Sequence, residues 1–259
     1  MIRNASIVLV LILLQSGVFQ NAVTAEETVP GDFALRLEQA LAAADIPGPL
    51  GVRIKSDPAF PGALAKVLNG DPYLRILVDK AHPLPESYEP EDLETLAYKS
   101  YRAGIADVMM LRKNAERALE EMASAARAGG VILTVSSAYR SYAYQVGSFD
   151  RWTRRLGAAE AEKVSARPGR SQHQLGLAVD FGSISNDFAE TTAGRWIKAN
   201  AARFGWSLSY PREYQDITGY LWESWHYRYV GKDLAAFINT YFDGVQQYAL
   251  AFLHAWEHQ

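Results

Sequence analysis

Cysteine is absent from all 259 residues, so neither disulfides nor thiolate metal sites are possible, and any zinc must be held by histidine and carboxylate. With 49% apolar and 12% aromatic residues, the chain can bury one sizeable core with a small accessory region attached. A cysteine-free exported protein fits a bacterial envelope better than a disulfide-stapled extracellular module.

Residues Met1 to Ala25 carry one basic residue, Arg3, then the apolar run Ile7 to Leu14, then small and polar residues ending Val23-Thr24-Ala25. This is the layout of a secretory signal peptide, and the apolar run is short for a membrane span; an uncleaved N-terminal anchor is the other reading. Export to a bacterial periplasm or cell envelope is therefore expected, with no membrane span in the mature chain. Removing the segment takes away Arg3 and no acid, which moves the formal charge from −3 to −4. A mildly acidic protein lacks the clustered basic residues that nucleic acid requires, so no nucleic-acid partner is expected.

Residues 26–77 mix a short helical pattern (Phe33, Leu35, Leu37, Ala40, Leu41) with Pro- and Gly-rich turns, and are read as an accessory N-terminal region. Tyr73 to Val78 suits a short strand or helix, and His82-Pro83-Leu84-Pro85 an extended connection. A catalytic domain is placed at 78–259. Within it, helical spacing runs from Leu93 to Arg127 and stops at Gly129-Gly130, followed by a strand at Val131 to Ser136 and a helix at Tyr142 to Leu156. Leu175 to Phe181 reads as a buried strand, Phe188 to Phe204 as a helix ended by Gly205, and Trp206 to Tyr210 and Trp225 to Val230 as strands. One last helix is expected from Asp233 to Trp256. Helices around short, mostly non-alternating strands imply an α+β domain built on a small antiparallel sheet flanked by helices.

Asp180 sits in the otherwise apolar run Leu175-Gly176-Leu177-Ala178-Val179-Asp180-Phe181. An ionised carboxylate there costs several kcal/mol unless a cation or hydrogen-bond donors compensate it. His173 lies seven residues earlier, with Gly176 allowing a tight approach. A hydrogen-bonded His–Asp pair satisfies the same residues as well as a metal does, and the spacing alone does not choose between them. In Trp222-Glu223-Ser224-Trp225-His226 an acid precedes a histidine by three residues. In a flat strand they would face opposite ways, so Glu223 must lie at a turn if both address one site. Together these elements supply two imidazoles, one carboxylate ligand and one spare carboxylate. Hydrolytic zinc needs that set: three ligands, an open position for water and a base. Arg140, where a strand passes into a helix, can pair with a substrate carboxylate or polarise a carbonyl. Trp225, beside His226, is a candidate pocket wall. His254 and His258 are four apart on the last helix, a metal-binding spacing with no third ligand apparent, and are read as surface histidines.

Three ordered motifs carry a family resemblance. They are Ser137-Ala138-Tyr139-Arg140-Ser141-Tyr142 with Gln145, then Ala166 to Asp180, then Glu223-Ser224-Trp225-His226-Tyr227-Arg228-Tyr229-Val230-Gly231. They resemble the VanY-type D-alanyl-D-alanine carboxypeptidases and the related bacterial L,D-carboxypeptidases. The resemblance spans about Val78 to Ile238 and implies the zinc peptidase fold shared with hedgehog-like domains. It implies zinc on His173, Asp180 and His226, Glu223 as general base and then acid, and Arg140, Gln145 and Ser171 holding the terminal D-alanine of a peptidoglycan stem peptide or its carbonyl. Two departures stand out, Gln172 at a place often acidic and Ser224 at one often proline. A monomeric, exported D,D-carboxypeptidase is thus expected. Its rivals are an L,D-carboxypeptidase or endopeptidase on the same scaffold, and a non-catalytic wall-binding module with structural zinc.

Overall fold

The structure, a computed structural model, describes residues 30–97 and 108–259, so the expected signal peptide lies outside it. Its centre is an antiparallel sheet of β3 (Val135–Ser137), β4 (Ala178–Phe181), β5 (Trp206–Leu208) and β6 (His226–Tyr229), in the spatial order β3-β4-β6-β5. A separate ladder pairs β1 (Leu93–Thr95) with β2 (Met110–Arg112). Helices surround both, as an α+β reading requires. Among the described residues, no helix is long and apolar enough to cross a membrane.

Two helices beside the sheet carry their own start and stop signals. Along α4 (Lys113–Ala128), Ala115, Leu119, Met122 and Ala126 fall on one buried face against the sheet, and Gly129 and the left-handed Gly130 (φ 74°) end it. The next helix, α5 (Tyr142–Leu156), opens where the Ser141 hydroxyl accepts the Tyr144 amide at 3.2 Å and ends at Gly157. The short α6 (Ala158–Val164) packs beside it. Behind the sheet, Val179 and Phe181 of β4 join Leu119, Met122, Leu133, Ile197 and Trp206 in one apolar core.

A second core brings the chain's two ends together. Helices α1 (Pro30–Ala43), α2 (Gly48–Ser56) and α3 (Phe60–Leu68) pack on the C-terminal pair through Leu41, Ile54, Phe60 and Leu64, which meet Phe237, Ile238, Phe242 and Phe252. Phe60 has three aromatic neighbours, Phe237, Tyr241 and Phe252, at centroid distances of 5.5, 5.0 and 5.8 Å. The segment between the two cores is pinned by the fully buried Arg228, which donates from Nη2 to the carbonyls of Leu74 and Ile76 at 3.0 and 2.9 Å. Burial pushes the Arg228 guanidinium down to about 10, still charged at neutral pH.

Several expected elements differ. The continuous helix from Leu93 does not form: residues 93–95 and 110–112 pair as strands, and the helix begins at Lys113. Strand pairing is a long-range choice that helical spacing around Leu111 cannot reveal. The strand expected at Val131 begins only at Val135, and that expected at Leu175 begins at Ala178, after a 3-10 turn (Gln172–Leu175) closed by left-handed Gly176 (φ 68°). The Phe188–Phe204 helix is instead a 3-10 turn (Asn186–Glu190), then α7 (Thr192–Asn200), capped by the Thr191 hydroxyl, then a 3-10 turn (Ala201–Phe204). After α8 (Gln215–Thr218), the single C-terminal helix is two: α9 (Gly231–Tyr241) and α10 (Gln246–Glu257). Asp243 and Gly244 separate them, both at positive φ (52° and 77°), a turn that lets α10 fold back against α9 and α1 in the second core.

Candidate metal centre

Strand register assembles the centre. Asp180 on β4 is paired with His226 on β6 on one side and with Ser137 on β3 on the other. Directly opposed residues of an antiparallel pair project to the same face, so Asp180 and His226 turn together away from the apolar core. His173 arrives from the 3-10 turn before β4. That turn starts where the Ser171 hydroxyl accepts the His173 amide at 3.3 Å and reverses at Gly176, where a side chain would meet Leu93 at 2.9 Å and Arg112 at 3.0 Å. Glu223 is carried by a tight turn, closed by the His226 amide donating to the Glu223 carbonyl at 3.3 Å. Asn186 braces that turn at both ends, donating to the Trp222 carbonyl at 2.9 Å and accepting the Ser224 amide at 3.1 Å.

The ligand atoms of His173, Asp180 and His226 all lie within 4.8 Å of one another, and the three residues are 2%, 3% and 4% exposed. His173 Nε2 is 3.3 Å from one Asp180 oxygen, and His226 Nδ1 is 3.0 Å from the other. His173 Nδ1 lies 2.6 Å from the Ala138 carbonyl, which can only accept, so Nδ1 carries the proton. Nε2 therefore turns a bare lone pair toward the carboxylate, and it is a buried polar atom without a hydrogen-bond partner. Lone pairs converging on a carboxylate repel one another unless a cation sits among them. Tetrahedral zinc, with ligands about 2.0–2.2 Å away, has ligand–ligand edges of this size, so the residues fit such an ion.

Electrostatics divide the carboxylates. Burial alone would raise Asp180, but the charge interactions with the His173 imidazole and the Arg140 guanidinium outweigh it and hold Asp180 well below its usual range. Burial, with Arg140 nearby, lowers His173 to about 4, so the imidazole is neutral, the form that binds metal. Glu223 goes the other way: burial and then the Asp180 charge raise it well above the ordinary glutamate range, against a smaller pull from Arg140. Its carboxylate stands 3.7 Å from His226 Nδ1, beside the ligand set and free to handle a proton.

All of the residues singled out from sequence line one cavity of about 730 Å³: Arg140, Gln145, Ser171, His173, Asp180, Glu223, Trp225 and His226. Arg140 is more than a cavity wall. Its Nη2 bonds Asp180 at 2.6 Å and its Nε bonds Ser137 at 2.9 Å, so it shares the carboxylate with the ligand set. Gln145 donates to the Ala166 carbonyl at 2.7 Å and leaves its buried Oε1 unpaired at the cavity. Sequence reasoning missed Asn186, Tyr210, whose ring lies tilted with its centroid 4.8 Å from that of His226, and the polar residues behind His226. Asn186 sits in an ordinary loop composition and gave no local signal. The distant His254 and His258 do gain a neighbour, His82, at 4.8 Å from the His254 ring. Among the described residues, however, only the His173, Asp180 and His226 set converges three metal-binding atoms.

A sequence model of the VanY family, described as D-alanyl-D-alanine carboxypeptidase, matches residues 108–232. The chain is 39% identical over 168 residues to the Bacillus subtilis (strain 168) protein YodJ, covering 62% of each. It is 36% identical over 176 residues to a D-alanyl-D-alanine carboxypeptidase of Enterococcus faecalis (strain ATCC 700802 / V583), covering 62% of this chain and 59% of that one. The chain thus spans about three fifths of the length of these curated relatives. Among solved structures, it is 34% identical to the vancomycin resistance D,D-pentapeptidase VanY in complex with Zn(II), over 67% of this chain and 96% of that one, with a TM-score of 0.56. The LdcB LD-carboxypeptidase is 36% identical over 65% of this chain and 85% of that one, with a TM-score of 0.59.

Proposed function

Because the chain belongs to the VanY family of D-alanyl-D-alanine carboxypeptidases, we propose that it is a zinc-dependent carboxypeptidase removing the C-terminal D-alanine from peptidoglycan stem peptides. The observation that carries this reading is the joint presence, in one cavity, of a three-atom ligand set, a carboxylate beside it and a guanidinium. His173, Asp180 and His226 would hold the ion, which supplies Lewis acidity and lowers the pKa of water from ~15.7 toward ~7. Glu223 takes a proton from the attacking water and returns it to the leaving amino group, a role suited to a carboxylate whose affinity for protons is raised. Arg140, at the cavity wall, offers charge-assisted hydrogen bonds to the terminal carboxylate or the scissile carbonyl, and Gln145, Ser171 and Trp225 bound the D-alanine pocket. Structural zinc in a wall-binding module would call for a fourth closing ligand, and the converging set among the described residues has three members.

A second reading, L,D-carboxypeptidase, is favoured by the similarity to LdcB, which matches the chain as well as VanY does. Residues 78–259 are taken as the catalytic domain, residues 26–77 as an accessory region, and the site of action as the exported side of a bacterial envelope. Mass spectrometry of pentapeptide and tetrapeptide stems, digested with and without chelator, tests the proposal. Chelator-sensitive loss of one D-alanine from the pentapeptide supports it, cleavage of the tetrapeptide alone selects the L,D reading, and no cleavage of either rejects both.

A further inference from the structure

Behind His226 lies a buried polar chain that leaves the sheet and ends on the C-terminal helix. His226 Nε2 is 3.2 Å from Gln172 Oε1, and the Ser209 hydroxyl donates to the same oxygen at 2.7 Å. Gln172 Nε2 donates to Gln246 Oε1 at 3.2 Å, and Gln246 Nε2 donates to the Ser207 carbonyl at 3.3 Å. All these side chains are buried, Gln246 to 1% exposure, and Gln246 is the first residue of α10, fourteen positions beyond the end of the family match at 232.

The direction of this chain is fixed by its far end. A backbone carbonyl can only accept, so Gln246 must turn its amide nitrogen to Ser207 and its oxygen to Gln172. Gln172 must then meet that oxygen with its own nitrogen, which leaves its oxygen facing His226. An oxygen there requires a proton on His226 Nε2. Nδ1 is left with its lone pair 3.0 Å from the Asp180 carboxylate, a contact that only a cation between them relieves. Reversing any one amide would set two oxygens or two N–H groups against each other in a buried place, at a cost of about 1–3 kcal/mol for each unsatisfied group.

We propose that Gln246, acting through Gln172, is a positioning residue that locks His226 in the Nε2–H tautomer and so presents Nδ1 as a metal ligand. The proposal rests on the metal-binding reading: without an ion the Asp180 carboxylate competes for a proton at Nδ1, and with an ion at Nδ1 the relay alone holds the proton at Nε2. Outer partners of metal-bound histidines fix ring orientation and tautomer, and their loss typically weakens metal binding by 10–100-fold. Here the partner is a neutral amide relay in place of a carboxylate. The relay also ties the metal centre to α10, and through α10 to the second core where α1 packs.

The test uses full-length protein with 15N-labelled histidine, first free of metal and then titrated with zinc against a competing chelator. Long-range 1H–15N spectra read the tautomer of His226, assigned by the resonance lost in His226→Ala. Zinc-loaded wild type is expected to show the Nε2–H form alone. Gln246→Met matches the side chain in length and removes its hydrogen bonds; it is expected to raise the share of the Nδ1–H form in the metal-free protein and to weaken zinc binding by roughly tenfold or more. Gln172→Met removes the acceptor itself, should do the same, and decides the matter for Gln172 if Gln246→Met fails to fold. A Nδ1–H form in zinc-loaded wild type overturns the proposal. So does a folded Gln246→Met with unchanged tautomer and zinc affinity within twofold, since Gln246 would then be mere packing. Wild type that binds no zinc rejects the proposal together with the proposed function, whereas zinc-loaded wild type with the Nε2–H form that cleaves neither stem peptide leaves the relay standing and rejects the proposed function alone.

Discussion

Replacing Arg140 with alanine separates the guanidinium that Asp180 meets from the metal ion it is proposed to hold. The Arg140–Asp180 contact is 2.6 Å, with side chains 20% and 4% exposed. Removing one partner of a fully buried pair costs about 3–5 kcal/mol, and access of cavity water to the place left by Arg140 reduces this to about 2–3 kcal/mol. At roughly 2–4 °C per kcal/mol for a chain of this size, metal-free R140A should melt about 4–12 °C below wild type. With saturating zinc the ion replaces the lost positive charge, and the deficit should shrink to less than about 1 kcal/mol. Linkage then requires R140A to bind zinc more tightly than wild type by the difference, roughly tenfold. Thermal scans with chelator and with excess zinc, joined to calorimetric zinc titration, measure both quantities. An equal melting deficit with and without zinc, or unchanged zinc affinity, would refute the argument that guanidinium and metal share this carboxylate.

Glu223→Gln should lower kcat by on the order of 10²–10⁴ with zinc content unchanged by metal analysis; retained turnover removes Glu223 from the role of base. Arg140→Lys should erode the preference for peptides with a free terminal carboxylate over amidated ones, because an ammonium cannot reproduce the paired guanidinium contact; equal preference in both enzymes argues against the clamp. Gly176→Ala forces a side chain into a left-handed position against Leu93 and Arg112, and should cost about 2–4 kcal/mol in denaturant unfolding. Asn186→Ala removes two hydrogen bonds from the Glu223 turn and should cost roughly 1–3 kcal/mol while lowering kcat more than zinc affinity.

The helices with strong local signals were legible in detail. Tyr142 to Leu156 starts at a serine cap and ends at a glycine, both written in the chain, and its expected limits match those observed. Strand edges were not legible. The apolar run from Leu175 contains a 3-10 turn that carries His173, and periodicity does not distinguish a buried turn from a buried strand. The pairing of residues 93–95 with 110–112 was hidden for the same reason, and the break at Asp243-Gly244 was overridden by a continuous apolar face on either side. The requirement that Glu223 lie at a turn did follow from strand alternation, and a turn is found there.

The donor set of the candidate site was settled by the sequence alone. Without cysteine only imidazole and carboxylate remain as ligands, and an aspartate within an apolar strand demands a cation or hydrogen-bond donors wherever the strand goes. Those are statements about residue chemistry, which does not depend on distant partners. Tertiary structure alone decided that Asp180 faces His226 across 46 residues of chain, that Arg140 shares the same carboxylate, and that Gln246 reaches the back of the imidazole from a helix packed on the N-terminal core. Register and helix docking are set by long-range burial and loop closure, and a one-residue slip of β6 against β4 would have turned His226 into the core without altering a letter of the motif.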